Sequence, residues 1–104
     1  MEKYFKMSYL IDIYSSLLTD KQLKVLEYYY NDDISLSEIA SMLNISRQGV
    51  YDTLKRAEKI ISEYDDKLNL LEKYERNIEL IDKLEGLCED KESLSLIKEI
   101  RENL

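Results

Sequence analysis

The chain has 104 residues, 44% of them hydrophobic, with 15 basic and 22 acidic side chains and a net charge of −7. That length suits one domain, or one domain plus an extension, and the charge excludes the general basic field of most free DNA-binding domains. With no Pro, no His, two Gly and one Cys, the composition favours helix throughout and leaves no internal disulfide framework. No apolar run reaches membrane-spanning length and no charged-then-apolar leader opens the chain, so the expectation is a cytoplasmic, all-α protein without membrane insertion.

Tyr4, Phe5, Leu10, Ile13, Tyr14, Leu17 and Leu18 predict an aromatic-rich amphipathic helix over roughly 3–18. Thr19 and Gln22 have the spacing of a capping box and open a second helix to about Tyr30. Leu23 and Leu26 face inward there, with one or two of Tyr28, Tyr29 and Tyr30, because three consecutive residues cannot share a helical face. Asn31-Asp32-Asp33 reads as a polar turn.

A helix-turn-helix follows. Ser35 caps its first helix with Glu38 three residues on, and Leu36, Ile39, Ala40 and Leu43 share one face. Asn44 supplies a residue that tolerates the left-handed conformation, Ile45 plugs the core, and Ser46 caps the second helix. Val50, Leu54 and Ala57 then bury that helix against the first.

The second helix is expected to run well past the motif. Val50, Leu54, Ala57, Ile61, Tyr64, Leu68 and Leu71 alternate by four and three, a heptad-like seam. Ile61, Tyr64, Leu68 and Leu71 are its candidate homodimer residues. Glu75 interrupts the seam while Tyr74, Ile78 and Ile81 begin a new stripe, so a bend, break or change of partner is expected near 71–75. Gly86 is expected to end that element, and Asp90 to cap a last stretch carrying Leu94, Ile97 and Ile100. The whole reads as a helix-turn-helix bundle of about five to six helices with a long C-terminal helical extension. Residues 1–60 form the motif domain, with 8 basic and 9 acidic side chains. Residues 61–104, with 7 basic and 13 acidic, form an acidic extension that packs or dimerises.

Three runs carry a family resemblance: Leu17-Leu18-Thr19-Asp20-Lys21-Gln22, Tyr28 through Ala40, and Ser46-Arg47-Gln48-Gly49-Val50-Tyr51-Asp52, continuing through Lys55-Arg56-Ala57-Glu58-Lys59. Over roughly residues 8–75 the chain resembles the YlxM family of small bacterial proteins. That family's motif is similar to the region of sigma factors that reads promoter DNA. The resemblance implies an accessory role in the signal recognition particle pathway, with the particle's GTPase subunit and small RNA as partners. A regulatory, DNA-binding role is the alternative.

On the second motif helix, Arg47, Gln48, Tyr51, Asp52, Lys55 and Arg56 are the candidate nucleic-acid or partner-binding residues. Arg suits guanine or phosphate, and Gln suits adenine. Asp52 repels phosphate, and Tyr51 offers a stacking face for unpaired bases or a protein pocket. Protein, RNA and duplex DNA therefore all stay open as ligands. Each residue also has a plainer use: Arg47, Lys55 and Arg56 as solvated helix charges, Lys55 and Lys59 as balance for Glu63. Asp65-Asp66 is a solvated pair rather than a catalytic dyad, since adjacent helical residues diverge, and Cys88 is a buried apolar residue. Without His, a second Cys or a glycine-rich phosphate loop, catalysis, metals and cofactors are not expected.

Overall fold

The computed structural model describes residues 3–104, with side chains from Lys6 onward, so the expected core positions Tyr4 and Phe5 lie outside the described side chains. The described residues hold six α-helices and no strand: α1 (Lys3–Tyr14), α2 (Asp20–Leu26), α3 (Leu36–Leu43), α4 (Arg47–Leu68), α5 (Leu70–Leu87) and α6 (Lys91–Glu102). The all-α class and the helix count agree with the sequence reading.

Local chemistry sets the ends of these helices. α1 stops at Tyr14 rather than at residue 18, because Ser15–Leu17 tighten into a 3-10 turn and the Ser15 hydroxyl reaches back to the Asp12 carbonyl at 3.4 Å. Thr19 opens α2 with a reciprocal box: Gln22 N donates to Thr19 Oγ1 at 3.2 Å, and Thr19 N donates to Gln22 Oε1 at 3.0 Å. After Leu26 the helix widens into a π turn over Glu27–Asn31, closed by Asp32 N donating to Glu27 O at 3.0 Å. Such a turn inserts a residue into the helical phase. Here Tyr30 is buried while Tyr28 and Tyr29 stay half-buried.

Residues up to Asn69 form one compact unit and Leu70–Leu104 a second. The boundary expected after residue 60 falls inside α4; α5 runs unbroken through 71–75, and the break comes earlier, at the single residue Asn69, at φ 53°. Asn tolerates this left-handed conformation, so one residue ends α4 and Leu70 starts the next helix.

In the first unit α4 packs against α1, α2 and α3. Leu10, Ile11 and Tyr14 of α1 join Val25, Leu26, Ile39, Ala40, Val50, Leu54, Ala57 and Ile61 in one core. Two tyrosines finish it with their polar ends satisfied: Tyr14 Oη donates to Asp65 Oδ1 at 2.7 Å, and Tyr30 Oη donates to Glu58 Oε1.

The second unit is a hairpin of α5 and α6, with Leu71, Ile81 and Ile97 buried. Gly86 lies within the last turn of α5 rather than ending it, where an added Cβ would meet nothing within 4 Å. Asp90 caps α6 by accepting from Ser93 N at 2.9 Å. That hydrogen bond holds its carboxyl below the usual carboxylate range. Arg101 on α6 ties back to α5 through Asp82 at 2.7 Å and Glu85 at 3.5 Å.

Candidate nucleic-acid or partner interface

Two residues place the start of α4. Asn44, at φ 55° and ψ 46°, turns the chain out of α3, as its residue type predicted. Ser46 then caps α4, its hydroxyl accepting from Gly49 N at 2.9 Å. A Cβ on Gly49 would stand 3.1 Å from that hydroxyl oxygen, so glycine gives the cap its room. Val50, Leu54 and Ala57 are buried, which fixes the rotation of α4. Arg47, Gln48, Tyr51, Asp52, Lys55 and Arg56 consequently all stand exposed on its outer side.

These six side chains are not equally available. Gln48 Nε2 donates to Asp52 Oδ1 at 2.9 Å. A carboxylate only accepts, so Gln48 spends one N–H of its amide on Asp52 and keeps Oε1 as an acceptor and the second N–H as a donor. The pair thus presents mostly acceptors, including the Asp52 carboxylate, a poor match to phosphate. Lys55 Nζ lies 5.5 Å from the centre of the Tyr51 ring and 3.4 Å from Glu58 Oε2. Both contacts are exposed or half-exposed, worth on the order of 1 kcal/mol or less. Glu58 also holds the Tyr30 hydroxyl, so the recognition face is linked through Lys55 to the core. Arg47 and Arg56 make no ion pair among the described residues. The surface offers two uncommitted guanidinium groups, one aromatic face and an acceptor pair.

Sequence reasoning leaves Tyr29 unassigned within the Tyr28–Tyr30 run and misses Glu58 as part of this surface. Tyr29 borders a shallow depression with Tyr51 and Lys55 and another with Arg47 and Asp33. Its ring meets Tyr30 edge-on at 5.0 Å between centroids. The run of three tyrosines was the available signal, but only the π turn decides which ring goes where.

The heptad seam does not survive as a single line. Ile61 is fully buried and Leu71 is 4% exposed, whereas Tyr64 and Leu68 are each 45% exposed. α4 ends between them and Leu71, at Asn69. Lys59 faces Glu63 at 3.9 Å, as the spacing suggested, while Lys55 takes Glu58 instead. Cys88 is half-buried rather than buried. Among the described residues no three His, Cys, Asp or Glu side chains cluster as a metal site. No helix there is long and apolar enough to cross a membrane.

Known proteins match this sequence along nearly the whole chain. The UPF0122 family, described as "Putative helix-turn-helix protein, YlxM / p13 like", matches residues 1–101. A UPF0122 protein of Bacillus thuringiensis (strain Al Hakam) is 46% identical over 95 residues, covering 91% of this chain and 86% of the relative. A UPF0122 protein of Halalkalibacterium halodurans matches at the same identity and coverage: 46%, 91% and 86%. One from Bacillus cereus (strain AH187) is 45% identical over 95 residues, again 91% of this chain and 86% of the relative. With the motif helices, caps and turn in place and this match on the page, the chain belongs to the UPF0122 family of YlxM/p13-like helix-turn-helix proteins.

Proposed function

We propose that this chain is a non-catalytic accessory protein of the signal recognition particle pathway, docking the first turns of α4 onto the particle's GTPase subunit, its small RNA, or both. The pathway comes from the family resemblance; the docking mode is argued from the residues. The observation that carries it is the pairing on the face of α4. Asp52 is held by Gln48 and Lys55 sits against Glu58, which leaves Arg47 and Arg56 as the uncommitted cations among the six. The unit that bears them has nine basic and twelve acidic side chains in residues 1–69. Duplex binding draws most of its affinity from many phosphate contacts, which such a surface supplies poorly. A ligand offering hydrogen-bond donors to Asp52, a stacking partner to Tyr51 and two anions to the arginines fits better. The protein would then act on GTP hydrolysis by binding one conformation of the GTPase more tightly than another.

The second reading is a dimeric DNA-binding transcriptional regulator, favoured by the exposed, capped start of the second motif helix. It requires half-sites about one helical turn apart.

A salt titration of binding to the particle, with and without its RNA, beside random duplex DNA separates the two. Tight particle binding with negligible duplex binding is the expected result. Steep salt-dependent duplex binding without particle binding would establish the regulator instead. If Lys21, Lys24, Arg47, Lys55, Arg56 and Lys59 all met phosphate, the log–log slope would be roughly −5.

A further inference from the structure

The α5–α6 hairpin leaves a second apolar stripe uncovered. Ile81 and Ile97 are buried, at 6% and 2% exposure, and define the side on which the two helices face each other. Leu80, Leu84 and Leu87 repeat by four and three on another side of α5 and are 45%, 45% and 81% exposed. Leu96 and Ile100 repeat by four along α6 and are 55% and 45% exposed, and Leu104, two residues past the end of α6, continues beside them at 46%. At about 100° per residue, both stripes fall on the same rotational side of the buried positions, and in two antiparallel helices this puts them on one face.

From this face we infer that a second copy of this chain is its occupant, the two hairpins packing face to face as a four-helix bundle. Area and charge both support the choice. The exposed fractions of those six side chains amount to about 600 Å², at the top of what a single soluble chain usually leaves open. Two copies would bury about 1,200 Å² in total, the lower bound for a stable specific interface. A two-helix unit of this size, with Leu71, Ile81 and Ile97 as its buried side chains, needs such added burial, since chains below about 40 residues rarely hold a core alone.

Charge fixes the arrangement. By the same helical projection Lys83 borders the stripe on α5 and Lys73 lies in line with it toward the N-terminus, while Glu92 and Glu99 border that on α6, all four exposed. None of the four makes an ion pair among the described residues. Asp82 and Glu85 lie toward the opposite side, where Arg101 takes them. A two-fold axis along the helices sets α5 of one copy against α6 of the other, bringing Lys83 of one copy toward Glu99 of the other. The alternative axis, across the helices, sets Lys83 near its own symmetry mate and is disfavoured.

Sedimentation equilibrium of the full chain, with helicity followed by circular dichroism, tests this. The wild-type chain is expected to dimerise at micromolar concentration. Leu84→Glu places a carboxylate in the buried seam and should give a folded monomer. Lys83→Glu and Glu99→Lys should each weaken the dimer about 10-fold or more, and the double reversal should return it to within about 3-fold of wild type. A monomeric wild type, a dimer undisturbed by Leu84→Glu, or a double reversal no better than the single variants would overturn the proposal. The outcome is independent of what α4 binds, so either reading can fail alone.

Discussion

Residues up to Asn69 and residues 70–104 use the same helical material in different ways. In the first unit α1 to α4 bury side chains from every helix, and Tyr14 and Tyr30 close their polar ends on Asp65 and Glu58. In the second, α5 and α6 bury Leu71, Ile81 and Ile97 and leave Leu80, Leu84, Leu87, Leu96, Ile100 and Leu104 substantially open. A helix-turn-helix with two supporting helices completes its own core, so its outer face is free for a ligand. A two-helix hairpin leaves an apolar surplus, which the proposed pairing of two copies would cover.

The sharpest way to break this contrast is to remove matching core residues. Ile61→Ala should cost about 2–5 kcal/mol in urea unfolding, because Ile61 is fully enclosed in the first unit. Ile97→Ala should cost clearly less in the first unit's transition, since it lies in the hairpin; equal losses would mean that the chain unfolds as one block. At the left-handed turn, Asn44→Ala should cost about 1–2 kcal/mol, whereas Asn44→Gly should be nearly neutral in the same melt. Ser46→Ala should cost about 1 kcal/mol by removing the α4 cap. Arg47→Ala, on an exposed and unpaired side chain, should stay within about 0.5 kcal/mol of wild type while weakening ligand binding.

The smallest effect is in acid. Asp90 has a folded pKa lowered from 3.8 by the Ser93 amide. Its contribution is therefore present above that value and is lost as pH falls through the lower folded pKa. Amide exchange in the first turn of α6 should accelerate over that window. Asp90→Asn, which caps without titrating, should remove the pH dependence.

Much of this was legible because it depends on residues close in sequence. The Thr19, Ser35, Ser46 and Asp90 caps and the Asn44 turn are each decided within about one helical turn. The face of α4 followed from Val50, Leu54 and Ala57. Two features were hidden for definite reasons. The π turn at Glu27–Asn31 adds a residue to the helical phase without any distinctive residue type, so the Tyr28–Tyr30 assignment stayed open. The break at Asn69 sits between Leu68 and Leu71 of an unbroken apolar pattern, and periodicity reads straight through one left-handed residue. The pairing of Gln48 with Asp52 and of Lys55 with Glu58 was equally out of reach. Spacing allows such pairs without choosing among them.

The most direct test of the account is to map the particle's contact on the full chain by amide chemical-shift perturbation at saturating particle concentration. Shifts and line broadening concentrated at 47–56, and lost in Arg47→Ala and Tyr51→Ala, are the predicted result. Perturbations confined to 70–104, with the start of α4 unchanged, would contradict it.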